Sequence, residues 1–191
     1  GGFLEHTLLH QLRQRYPQTT PVPIHRLGRG TSGLVLLGRS PLGKSALSQR
    51  MRASTAGQPS PMKKTYRALI GPSTLPDRFT LTTPIGKVPH STLGYVYGAH
   101  SQGKPARSEG QVVERGRDCT WVAVTIPTGR PHQIRVHLAA AGYPLLGDPL
   151  YTVGGVPELS QSGTALPDTE APQLARPGDG GYHLHAHHLT L

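Results

Sequence analysis

Three stretches of this chain carry helical spacing, while several shorter runs alternate apolar and polar residues or stay apolar for the length of a strand, so a mixed α+β fold is the one architecture that accommodates all of them. Leu4, Leu8, Leu9 and Leu12 recur at helical intervals, which predicts an amphipathic helix over residues 4–15 that ends before Pro17. Ser40-Pro41 supplies an N-cap and a first-turn proline for a second helix reaching about Arg52, and the polar interval from Ser54 to Pro61 reads as a loop. Pro131 to Ala141 sets Ile134, Leu138 and Ala141 on one helical face, with Gly142 in the place of a C-terminal glycine cap. That helix would hold Arg130 and His132 at its N-terminus, the end that favours anions.

Gly33 to Gly38 reads as a short buried strand, and Thr65 to Ile70, 93–97, 110–114, 120–126 and His183 to Leu191 read as further strands. The expectation is a mainly antiparallel mixed sheet with flanking short helices, built by residues 1–151 and 182–191 as a single domain. Residues 152–181, rich in Gly, Pro, Ser and Thr, are expected to form a disordered insertion.

Charge narrows the partners. The chain carries a net +10, and residues 152–180 contribute −3 of it, since they hold Arg176 against Glu158, Asp168, Glu170 and Asp179. The remainder is therefore more basic still, as a surface that meets a polyanion would be, and affinity carried by Lys and Arg is salt-sensitive. Cys119 is the only cysteine, which excludes an intrachain disulfide and a thiolate metal cluster. No run approaches the length of a membrane span, and no signal segment opens the chain, so a soluble monomer of the cytoplasm or an organelle is expected, with no membrane partner.

The most informative run is His25-Arg26-Leu27-Gly28-Arg29-Gly30-Thr31-Ser32-Gly33-Leu34. It is followed in order by Lys64-Thr65-Tyr66-Arg67-Ala68, by Thr128-Gly129-Arg130-Pro131-His132-Gln133-Ile134-Arg135-Val136-His137, and by Gly147-Asp148-Pro149-Leu150-Tyr151. Together these four blocks resemble the RluA-type family of RNA pseudouridine synthases, in which an aspartate stands where this chain has Gly28. The resemblance implies a pseudouridine synthase catalytic domain, truncated at both ends. The chain begins with Gly rather than Met and opens into a helix where the family leads one to expect a strand and a Lys-Pro-x-Gly turn, and it stops inside the strand His183 to Leu191.

The activity implied is isomerisation of uridine to pseudouridine in a structured RNA, ribosomal or transfer, with no cofactor and no metal. The reaction detaches uracil from ribose at N1, turns it and rejoins it through C5, so the nucleotide must be unstacked first. By resemblance Tyr66 stacks on the flipped base and assists late proton removal at C5, while Arg135 pairs with the family's catalytic aspartate, a role that suits a permanently charged, fork-shaped guanidinium. His25, Arg26, Arg29, Thr31, Ser32, Arg130, His132 and Gln133 are the expected RNA-binding residues.

Glycine offers no nucleophile, acid or base, so the loop as written cannot run the family reaction through residue 28, and Arg135 is expected to lose its countercharge. Two readings stay open: a pseudouridine synthase served by an acid from elsewhere, such as Asp148, or an RNA-binding pseudoenzyme of the same fold. Asp148 itself, before Pro149, reads first as a turn residue. Gly33 to Ser40 approximates a phosphate-binding loop with Arg39 in place of the lysine, but Pro41 follows at once and no strand-plus-aspartate context for magnesium is present. His183, His185 and His187 alternate on one strand face, a row for which a structural role is expected over a metal site.

Overall fold

The computed structural model describes residues 4–90, 93–157, 176 and 179–191. A 3-10 turn (Leu4–His6) leads into α1 (Leu8–Arg15), whose first turn is capped by Thr7 accepting from the His10 N–H at 3.2 Å. The helix ends before Pro17 as expected but begins at Leu8 rather than Leu4, because Thr7 caps it and the residues before form the separate 3-10 turn, and none of its residues is buried. The second helix, α2 (Pro41–Ala56), begins where the Ser40 hydroxyl accepts from the Gly43 N–H at 3.1 Å and ends at Gly57, whose φ of 83° is left-handed. It continues past Arg52 into the interval read as a loop, because no proline stands in the chain between Pro41 and Pro59.

Between the helices lie β1 (Val22–Pro23), β2 (Ser32–Gly33) and β3 (Leu37–Gly38). The single buried strand expected over Gly33 to Gly38 is therefore two short strands, with Leu34 exposed. The cause is the close passage of Gly33 against the last strand. Its φ is 112°, and a Cβ there would lie 2.3 Å from the Ala186 carbonyl oxygen, so the chain pairs for two residues and turns away to meet β1.

The remaining elements are β4 (Lys63–Ile70), β5 (Arg78–Leu81), β6 (Ile85–His90), β7 (Gly94–Ala99), β8 (Ser108–Arg115), β9 (Thr120–Thr125), α3 (Gln133–Ala140) and β10 (Leu184–Thr190). Six strands form one sheet in the order β2-β10-β4-β9-β8-β5, antiparallel throughout except where β10 meets β2 in parallel. A separate antiparallel hairpin, β6-β7, sets Val88 opposite Val96. The mixed α+β fold with a mainly antiparallel sheet is as expected, and β1, β5 and β6 are additional to the strands read from sequence.

Helix α3 is buried on nearly every side. Ile134 and Leu138 join the core on the six-stranded sheet with Ile70, Val122 and Val124, while Val136 and Ala139 join a second cluster with Ile85, Leu150 and Tyr151. A helix buried all round belongs between layers, with its polar side chains hydrogen-bonded. Its N-terminus, next to β4 and β9, thereby becomes one wall of the molecule's main cleft. Residues 158–175 and 177–178 of the expected insertion lie outside the described residues. No helix among the described residues is long and apolar enough to cross a membrane.

Polar groups inside α3 are satisfied in a chain. His137 is fully buried, and its Nε2–H donates to the Thr83 carbonyl at 2.9 Å, which leaves Nδ1 to accept from the Ser108 hydroxyl at 2.9 Å. Ser108 accepts in turn from the Gln133 amide at 3.0 Å. Burial lowers the His137 pKa against the opposing bond to Thr83. The folded protein thus resists a proton that the unfolded chain takes up near pH 6.5, so acidification favours unfolding. We expect the His137 ring to keep its neutral NMR signature below pH 6.5 while stability to urea falls in the same range; a ring that titrates at the ordinary value would contradict this assignment.

Candidate active site

A cleft of about 560 Å³ opens between the loop after β1, strand β4, the start of α3 and the entry to β10. The His25 to Thr31 loop reaches it because both its ends are tied down. His25 Nε2 accepts from the Leu36 N–H at 3.0 Å, and the Thr31 N–H donates to the Gly28 carbonyl at 2.9 Å, closing a turn that presents residues 28–30. Burial pushes the His25 pKa down, so the imidazole is held neutral as an acceptor.

Tyr66 enters from β4, and burial raises its pKa, which keeps the phenol protonated at neutral pH. Arg130 closes the opposite side, with its Nε–H donating to the Pro105 carbonyl at 2.9 Å. His132 precedes α3 with a φ of 54°, the only left-handed non-glycine conformation among the described residues. Its Nδ1 lies 2.6 Å from the Tyr151 hydroxyl, which itself donates to the Tyr97 carbonyl, so Nδ1 carries the proton and Nε2 keeps its lone pair. Burial, reinforced by the Arg135 charge, brings the His132 pKa down to about 4. This imidazole can accept a hydrogen bond in the cleft but contributes no charge.

Arg135 does not lose its countercharge. Its Nε–H and Nη2–H reach the two carboxylate oxygens of Asp148 at 2.7 and 2.6 Å, with 4% and 0% of the two side chains exposed. Burial alone would lower the arginine's pKa, but the hydrogen bonds and charge of Asp148 outweigh it and the net shift is upward. The guanidinium is also stacked, 4.1 Å above the Tyr182 ring and 4.9 Å from that of Tyr151. Asp148 keeps its turn role as well, because Oδ1 accepts from the Leu150 and Tyr151 N–H groups at 2.9 and 3.1 Å.

The carboxylate is thus sealed behind Arg135. Among the described residues no acidic side chain lines the cleft, while Arg26, Arg29, Lys64, Arg130 and Arg135 all do. Asp148 is not placed to serve as an acid from elsewhere.

Most residues singled out from sequence converge here: His25, Arg26, Gly28, Arg29, Thr31, Tyr66, Arg130, His132, Gln133 and Arg135 line one cavity. Ser32 does not, since it points out along β2, where its hydroxyl and His185 Nδ1 are 2.9 Å apart. Gln133 touches the cleft, but its amide is committed to Arg107, Ser108, Thr128 and Arg130, which leaves it a brace for the wall. His183, His185 and His187 are exposed along β10, and no group of three His, Cys, Asp or Glu among the described residues could hold a metal ion.

Sequence reasoning missed Tyr182. Its ring lies against Gly30, where a Cβ would come within 2.7 Å of Cε1, and its hydroxyl stands 3.1 Å from where a Gly28 Cβ would be. That hydroxyl is 3.2 Å from Thr31 Oγ1, so Tyr182 and Thr31 together fill the space a side chain at 28 would use. The signal in sequence is faint: an aromatic residue after Gly180-Gly181 at the head of a strand. We expect Gly28→Asp to cost about 1–3 kcal/mol by overpacking and to cost clearly less in a Tyr182→Phe background. Equal costs in the two backgrounds, read from denaturant unfolding, would contradict this packing.

Comparison with known proteins agrees with the geometry. Residues 2–140 match the family model described as RNA pseudouridylate synthase. A Synechocystis protein named as an uncharacterized RNA pseudouridine synthase is 50% identical over 189 residues, 99% of this chain and 59% of its own length. RNA pseudouridine synthase 5 of Arabidopsis thaliana is 38% identical over 223 residues, covering 100% of this chain and 60% of its own. The chain therefore spans about three fifths of the length of these relatives. Among solved structures, human RNA pseudouridylate synthase domain containing 1 superposes with a TM-score of 0.65 at 27% identity, over 96% of this chain and 68% of that one. On the matched model, the relatives and the shared fold, the chain belongs to the RNA pseudouridylate synthase family, as its RluA-type motifs implied.

Proposed function

We propose that this protein isomerises uridine to pseudouridine in a structured RNA, ribosomal or transfer, acting as a monomer. The observation that carries the reading is a cationic cleft with an aromatic platform and no acidic side chain among the described residues that line it, assembled from the motif residues. Its volume lies within the range of sites that enclose a small molecule. Arg26 and Arg29 are exposed at the loop and their guanidinium groups have no hydrogen-bond partner among the described residues, which suits them to phosphates flanking the target. The half-buried Tyr66 ring offers the stacking surface on which an unstacked base is held. Arg135, clamped by Asp148, orders the wall and sets the charge against which the nucleotide packs.

With glycine at 28, the loop contributes shape and backbone rather than a carboxylate. An RNA binder of the same fold without catalysis is the competing reading, and family membership gives it no advantage. Incubating the purified protein with total RNA and detecting pseudouridine by chemical derivatisation and mass spectrometry separates the two. We expect product, a loss of about 100-fold or more in Tyr66→Ala, and most of the rate kept in Tyr66→Phe, whose ring still stacks. Salt-sensitive RNA binding with no pseudouridine formed from any RNA would overturn the catalytic reading.

A further inference from the structure

Among the described residues that line the cleft, Lys64 is the titratable group whose chemistry nothing above has used. It lies two residues before Tyr66 on β4, so the two side chains leave the same face of the strand and both line the cleft. Only 8% of Lys64 is exposed, and while its carbonyl accepts from the Ile126 N–H, its side-chain ammonium has no hydrogen-bond or ion-pair partner among the described residues. No fully buried side-chain nitrogen or oxygen in the described structure lacks a partner, so the Lys64 ammonium must reach the open space of the cleft.

Its electrostatic surroundings are one-sided. Burial brings its pKa down from 10.5 to about 8, and its charge helps to hold His25 neutral. The carboxylate behind the cleft wall, Asp148, is paired with Arg135 and already accepts four hydrogen bonds. An ammonium drawn out of water with no counterion is costly to keep. A single apolar side chain at this strand position would be cheaper, which points to an anion as the missing partner. The exposed Arg26 and Arg29 already serve for phosphates, whereas Lys64 is buried and lines the cleft from the same strand as Tyr66.

We propose that Lys64 is a catalytic residue that donates a hydrogen bond to a carbonyl oxygen of the target uracil and stabilises the negative charge of that ring while it is detached from ribose. The inference rests on the reading of this cleft as a pseudouridine synthase site. When the C1′–N1 bond breaks, its electron pair stays with the base, which becomes a monoanion with charge spread over N1, O2 and O4, and C1′ is left electron-poor. After the ring turns, C5 supplies the pair for the new C1′–C5 bond. C5 then loses its proton and N1 gains one, so the product is an isomer and no outside reactant is consumed. Lys64 keeps its own proton throughout; its contribution is a fixed positive charge where the anion forms, the arrangement by which preorganised donors lower barriers. Because the charge is largest after bond cleavage, the residue acts on turnover more than on RNA affinity.

Two measurements test it. In the first, the protein is titrated with uracil and with 5-nitrouracil, whose electron-poor ring is already anionic at neutral pH. We expect a preference of about tenfold for the anion in the natural protein, and its loss in Lys64→Met. In the second, pseudouridine formation is followed in Lys64→Met and Lys64→Arg. The methionine variant should lose about 100-fold in kcat with RNA affinity unchanged and a Tm no lower than the natural protein's, and the arginine variant should recover part of the rate. A merely structural lysine would lower Tm and show no anion preference. Lys64→Gln, polar and uncharged, gives the same comparison if the methionine variant does not fold. An uncharged variant that keeps the 5-nitrouracil preference, or that turns over within about threefold of an active natural protein, overturns the proposal. If the natural protein forms no pseudouridine at all, the functional reading falls, and the binding titration still decides whether Lys64 recognises a uracil anion.

Discussion

The buried pair between Arg135 and Asp148 is the interaction on which the rest of the cleft depends. Two charges out of water are tolerated only when their geometry is good and their remaining bonding capacity is met. Here the guanidinium fork meets the carboxylate at 2.6 and 2.7 Å, two backbone N–H groups complete the carboxylate, and two tyrosine rings cover the guanidinium. The pair joins α3 to the turn at Gly147-Asp148-Pro149, so the central helix, the turn after it and the head of β10 are fixed relative to one another. It also settles the cleft's electrostatics: the acid is consumed internally, and cations remain facing the space a nucleotide would enter.

Given that pair, the loop at residues 25–31 needs no carboxylate to hold Arg135 in place. Gly28, Gly30 and Gly33 instead let the backbone come close to β10 and Tyr182. The Gly33 Cα would lose its place beside Ala186 if it carried a side chain, and Gly30 would collide with the Tyr182 ring. Tyr182 thus does two things at once, stacking on the guanidinium with one face and filling the volume above Gly28 with its hydroxyl. Glycine at 28, the tyrosine over it and the internal counterion of Arg135 form one consistent arrangement.

Much of this was legible in the sequence because it is local. Ser40 before Pro41, Gly142 after α3, and the alternation in β4 and β9 act through neighbours a few residues apart, and each produced the expected element. The four motif blocks led to the cleft, since nearly all of their named residues line it. What sequence did not reveal acts over distance. The Asp148-Pro149 pair marks a turn in the sequence, and Asp148 holds one, but its bond to Arg135 depends on how α3 folds back on the turn. Tyr182 lies against Gly28 and Gly30 only once β10 has joined the sheet between β2 and β4. The strand expected over Gly33 to Gly38 broke in two because periodicity cannot see a backbone passing at van der Waals distance. Strand β6 leaves no clear alternation in the sequence because Gly86 and Pro89 interrupt its pattern, as a two-stranded sheet allows.

The measurement that bears most directly on this account is a double-mutant cycle on unfolding free energy with Arg135→Met, Asp148→Leu and the pair combined. If the two groups are each other's counterion, either single change strands a buried charge and costs about 3–5 kcal/mol, while the double variant costs less than the sum by at least about 2 kcal/mol. Additive costs would show that Arg135 and Asp148 do not depend on one another, and the cleft would then have to be held together by something else.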